Sequence, residues 1–212
     1  ISYFEQVLAI EEELLVGEFK DVVLVHETHR QRLLFNPYQT RDILAHPTIS
    51  GRLRLNCDLS HWVCVCEKLF NASDARDAWW PGVLETVANH CYLIHARVGH
   101  TEGPQVVDPR DPHCAAETEA HISWWRRIIE CQRSRGVRTF ITTEHGPEPY
   151  QVFDTPKPQP QDGRGGDGGG KLTDEEKNTI LWDINVFVKD RIEQMLLEHA
   201  SQHVARAGIG SV

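Results

Sequence analysis

Four apolar runs along the chain each close on a side chain able to ligate a metal or carry a proton. Val22-Val23-Leu24-Val25 leads into Glu27, Leu53 to Leu55 into Asp58, Tyr92-Leu93-Ile94 into His95, and Thr139-Phe140-Ile141 into Glu144. Short continuous apolar runs read as strands buried on both faces, the habit of a parallel sheet. Helical signals separate them, and strand–helix alternation of this kind means α/β architecture. An open doubly wound sheet gathers its polar groups at one switch point, whereas a (β/α)8 TIM barrel carries them at the carboxyl ends of successive strands. A full barrel uses eight strands in ~250 residues. With only four strand-like runs, the expectation is a partial barrel of about four βα units, its carboxyl-terminal half.

Local signals place the elements. Phe4, Val7, Leu8, Leu14 and Leu15 recur with a helical period from the first residues on, and the absence of a leading Met suggests an incomplete gene product. The first strand is expected over Asp21 to Glu27. Asn36-Pro37-Tyr38-Gln39 is a helix entry, with Asn as cap and Pro at the first helical position; that helix ends near His46-Pro47. A second strand covers Arg52 to Asp58, a loop Asn71 to Asp77, a short helix Gly82 to Asn89 and a third strand Cys91 to Arg97. The long loop Gly99 to His113 falls in the class that is usually functional. Glu117 to Arg135 reads as a helix stopped by Gly136, followed by a fourth strand, Val137 to Glu144. Thr155 to Gly170 is a Pro-then-Gly insert expected to be a flexible loop. Thr173-Asp-Glu-Glu176 is a capping box opening a last helix that runs to about His199.

Composition narrows the partners. The 212 residues make one domain the natural expectation, and a formal charge of -9 argues against a nucleic-acid binder, which needs a basic stripe. No apolar run approaches the ~20 residues that span a bilayer, and no stretch reads as a signal peptide or lipid anchor. The six cysteines form no CxxC pair. Three of them (Cys57, Cys64, Cys91) sit in apolar or strand-following context, which points to free thiols in a reducing, cytoplasmic compartment.

Glu27, Asp58, His95 and Glu144, brought to one point, would form an oxygen-rich set with one imidazole. Such a set suits Mn2+, Mg2+ or Co2+, and Zn2+ is also compatible with it. A bound ion of this kind chelates adjacent oxygens of a hydroxy-ketone and acidifies the C–H between them. Glu27 and Glu144 would then take and return the proton. His61, three residues after Asp58, is expected to touch substrate or metal, with Arg97 and His100 beyond His95 placed to hold a sugar hydroxyl or phosphate. His26 is read as packing and His29 as rim. His26-Glu27-Thr28-His29 lacks the spacing of a zincin helix. Trp62, Trp79 and Trp80 are more often core than sugar platform, and Asp108 and Glu148 more often loop salt bridges than ligands.

At these residues the chain resembles the xylose isomerase-like TIM-barrel superfamily, and within it the sugar phosphate isomerase/epimerase branch. The matching stretches are Glu27-Thr-His, Asp58-Leu-Ser-His61-Trp62 and His95-Ala-Arg-Val-Gly-His100-Thr-Glu-Gly-Pro-Gln-Val-Val-Asp-Pro. Thr143-Glu144-His-Gly-Pro and Leu181-Trp-Asp-Ile-Asn185 extend the likeness over nearly the whole chain outside the Gly-rich insert. The resemblance implies a divalent ion on Glu27, Asp58, His95 and Glu144, acid/base work by the two glutamates, and a sugar or sugar-phosphate substrate touched by His61. The family's substrate-binding Arg falls where this chain has Thr101-Glu102, with only Arg97 nearby. The superfamily also holds inosose dehydratases, a lyase alternative, and abasic-site zinc nucleases, whose Asp-x-His becomes Asp108-Pro109-Arg110 here. A rival of another class is a non-catalytic fragment: four βα units leave two open edges, which self-association or an amino-terminal half would cover.

Overall fold

The computed structural model describes residues 1–153 and 172–208, with side chains through 198, so the insert expected at Thr155 to Gly170 lies outside the described residues. The elements are α1 (Ser2–Leu14), β1 (His26–Glu27), α2 (Pro37–Leu44), β2 (Leu55–Cys57), α3 (Ser60–Cys66), α4 (Trp80–His90), β3 (Cys91–Ala96), α5 (Ala115–Ser134), β4 (Phe140–Thr143) and α6 (Asp174–Gly208). The four strands form one parallel sheet in the order β1-β2-β3-β4. This is α/β architecture with six helices around a four-stranded sheet.

The expected helix signals act as read. The Asn36 side chain accepts from the Gln39 N–H at 2.8 Å with Pro37 in the first turn of α2. Thr173 and Glu176 exchange reciprocal bonds at the start of α6, the Glu176 N–H reaching Thr173 Oγ1 and Glu176 Oε2 accepting from the Thr173 N–H. Gly136, at φ +67°, ends α5 in the left-handed conformation that costs glycine least. A helix with no signal in the sequence, α3, starts two residues after Asp58 and carries His61.

Leu55 and Cys57 of β2 and Ile94 and Ala96 of β3 are buried in one core with Val83, Leu84 and Val87 of α4, Ile122, Trp125 and Ile128 of α5, and Val188 and Ile192 of α6. Trp80 stacks on Phe70 and meets Trp62 and Trp124 edge to face in this core, so Trp62 and Trp80 are packing and no part of a substrate wall. Gln132, fully buried on α5, donates to the Cys91 carbonyl and accepts from Thr139, tying the helix to β3 and to the segment entering β4.

Two expectations about strands are corrected. The first strand does not run from Asp21: only His26 and Glu27 pair with β2, and Val22 and Leu24 are 45% and 39% exposed. Among the described residues β1 pairs with a strand on one side alone, and a cavity of about 640 Å3 is lined by residues 20–24, by α1 and by Arg52 and Arg54 ahead of β2. Nor is every strand buried on both faces. Glu27, Asn56, Leu93 and Phe140 lie in register across the sheet, and at the β4 end of that row Phe140 is 37% exposed, with Thr142 exposed beside it. Apolar character alone does not distinguish a residue facing a helix from one facing an uncovered side of the sheet.

Candidate metal centre

The parallel sheet fixes where the polar groups meet. Because side chains alternate across a strand, the register that aligns Glu27 with Asn56 and Leu93 also puts His95, two residues on, on the same face. Asp58 follows the end of β2, and Glu144 follows β4, its N–H bonded to the Ala96 carbonyl at 3.3 Å. One donor atom from each of Glu27, Asp58, His95 and Glu144 lies within 4.8 Å of all the others. His95 Nδ1 sits between the two glutamates, 3.1 Å from Glu27 Oε1 and 2.8 Å from Glu144 Oε2. Asp58 is fully buried, whereas the other three are partly open to solvent, so the centre has a closed floor and an accessible front.

The floor is tightly bonded. Thr28 Oγ1 accepts the Asp58 N–H at 2.8 Å and donates to the Asp58 carbonyl at 2.9 Å. Asp58 Oδ1 accepts from both the N–H and the hydroxyl of Ser60, and Oδ2 from the Arg97 guanidinium. Gly99 packs directly on Ser60, where a Cβ would come within 2.8 Å of the Ser60 Cβ and 2.9 Å of its carbonyl oxygen. The His121 ring holds that loop, accepting from the Gly99 N–H at 3.4 Å through Nε2 and bonding the Glu117 carbonyl at 2.8 Å through Nδ1.

Burial dominates the protonation behaviour of Asp58, pushing its pKa up to about 7 against the opposing pull of Arg97 and Ser60. For His95 burial resists the proton, but the carboxylates of Glu144 and Glu27 outweigh it and raise the imidazole to about 9. Glu144 is lowered, its burial overcome by His95 and Arg97. Three carboxylates thus surround a point that calls for positive charge. The donor set fits a divalent cation on a further observation: Glu144 Oε2 is buried and receives no aligned hydrogen bond, although His95 Nδ1 lies 2.8 Å away. Asn56 Nδ2 is 3.0 Å from His95 Nε2, while its Oδ1 is buried without a donor. Turning the amide over places Oδ1 on Nε2–H, the support that a metal-binding Nδ1 uses.

Of the expected substrate contacts, His61 and Arg97 are at the centre but below its surface. His61 is fully buried, with Arg97 Nη2 2.8 Å from its Nε2 and Asp58 Oδ2 at 3.5 Å; burial first, and Arg97 next, hold it neutral with a pKa of about 2. Arg97 is 3% exposed and capped by the Tyr150 ring at 4.7 Å. His100 stands apart in a small bridge with Gly103, its Nδ1 accepting from the Glu102 N–H at 3.3 Å. The His29 ring packs tilted against His61 with centroids 3.9 Å apart, and His26 pairs with Glu11 of α1 at 2.6 Å. Asp108 is held by Arg110 and Glu148 by Lys177, both as loop ion pairs. Asn185 of α6 bonds both the N–H and the carbonyl of His145, fixing the segment after Glu144.

Thr28, Asn56, Ser60, Gly99 and Tyr150 were not singled out from sequence. The available signal was adjacency: Thr28 follows Glu27, Asn56 and Ser60 flank Asp58 two residues either side, and Gly99 lies two beyond Arg97. No family model, no curated protein and no solved structure matches this chain. All six cysteines are free, and among the described residues no helix is long and apolar enough to cross a membrane.

Proposed function

We propose that the chain is a divalent-metal-dependent isomerase or epimerase of a sugar or sugar phosphate, built on part of a (β/α)8 barrel like that of the xylose isomerase-like superfamily. The observation that carries the reading is the convergence of Glu27, Asp58, His95 and Glu144, from the ends of four successive parallel strands, within 4.8 Å. Glu27, Asp58, His95 and Glu144 would hold the ion. When bound, a divalent ion supplies Lewis acidity to adjacent substrate oxygens and acidifies the C–H between them. Glu27 and Glu144 flank the centre from the two outermost strands, so one removes the proton and the other returns it. Their partial exposure leaves the substrate a way in, and the buried Asp58 keeps its geometry fixed by Ser60, Thr28 and Arg97.

The test is metal analysis of the purified chain, with proton exchange measured on a panel of ketoses and their phosphates in deuterated water. Bound Mn2+ or Co2+ is expected to drop in Asp58→Asn and Glu144→Gln, and unchanged metal content in both would remove the site. Glu27→Gln and Glu144→Gln are each expected to slow α-proton exchange by about 10²–10⁴-fold. Deuterium entering the substrate without loss of water marks the isomerase, and net loss of water a lyase on the same residues.

A further inference from the structure

A second cation position lies behind the first, and a side chain fills it. Arg97 Nη2 donates to Asp58 Oδ2, stands 2.8 Å from His61 Nε2 and lies 3.7 Å from Glu144 Oε2. Two carboxylates and an imidazole converging on one nitrogen are the donors of a metal site. Two of them, Asp58 and Glu144, also belong to the candidate front site. A guanidinium nitrogen only donates, so His61 Nε2 must turn its lone pair to Arg97 as it would to a metal. Arg97 Nε is also 3.3 Å from Ser60 Oγ, and the Tyr150 ring covers the plane, so the group cannot exchange with solvent as an ion does.

We infer that Arg97 occupies the second seat of what would otherwise be a two-metal centre, and thereby makes it a one-metal centre. The inference rests on the metal reading above and goes beyond it. One divalent ion together with the guanidinium balances the charge of Glu27, Asp58 and Glu144. A second ion in that seat would hold and acidify a water, the requirement of two-metal hydrolysis; a guanidinium, always protonated, provides charge but no nucleophile. Arg97 is therefore a positioning residue that fixes Asp58 and His61 and steers the centre away from hydrolytic chemistry.

Ion counting tests this on the full chain. Chelator-stripped protein is titrated with Mn2+ and the bound ions counted by electron paramagnetic resonance, folding being followed by circular dichroism. Wild type and Arg97→Lys are expected to take one ion per chain and Arg97→Ala two, and adding His61→Ala to Arg97→Ala should return the count to one. Two ions in the wild type, one ion in Arg97→Ala, or a second ion that survives His61→Ala would each overturn the inference. An Arg97→Ala chain that stays unfolded at saturating Mn2+ would also overturn it, because an ion able to take the seat would replace the lost charge beside Asp58. A wild type that binds no ion removes the front site as well, an outcome separate from all of these.

Discussion

At Gly99 a single methyl group decides whether the floor of the centre survives. Gly99→Ala drives a Cβ into Ser60, and Ser60 cannot yield without releasing Asp58 Oδ1. Overpacking of this kind costs about 1–3 kcal/mol, to be read from urea melts, with weaker Mn2+ binding alongside. Asn56→Ala leaves the four candidate ligands in place but removes the partner of His95 Nε2. Loss of such a support lowers metal affinity by about 10–100-fold, measurable by competition with a chelator. These residues also show what the sequence can and cannot reveal. Glu27, Asp58, His95 and Glu144 were legible because a charge at the end of an apolar run is conspicuous. Ser60 and Asn56 were not, because a hydroxyl or amide beside a strand is common and only the register decides what it touches. His61 was legible as a member of the centre, whereas its depth depended on Arg97 folding over it.

Elements carry a pH response through α5. His121 is fully buried, and burial lowers its pKa from 6.5 to about 4 despite the Glu117 carbonyl. The folded chain therefore holds this imidazole neutral, and the unfolded chain protonates it near pH 6.5. Its contribution is complete above that value and falls away as the pH drops to about 4, a loss of about 3 kcal/mol. Thermal melts from pH 7 to 4 should show this component in the wild type and lack it in His121→Gln. The helices were largely readable because capping and period act locally, as at Asn36 and Thr173. The length of β1 was not, because pairing depends on the neighbour a strand finds: Val22 to Val25 has the composition of a buried strand and lies at an edge.

For the molecule as a whole, the sheet is unequal across its width. Among the described residues β2 and β3 are each paired on two sides and share the tryptophan-lined core, whereas β1 and β4 are paired on one side only. Amide hydrogen exchange is expected to be slowest at Leu55, Cys57, Ile94 and Ala96 and fastest at Glu27 and Phe140, following local pairing and burial; uniform protection would show that the outer strands are covered. Glu27 lies in β1 and Glu144 directly follows β4, so the two stand at opposite ends of the candidate ligand set. An ion gripped by both would work as a clasp drawn across the full breadth of the ladder. At 100 times its dissociation constant it adds about 2.7 kcal/mol, and that gain falls on the margins that would otherwise fray first.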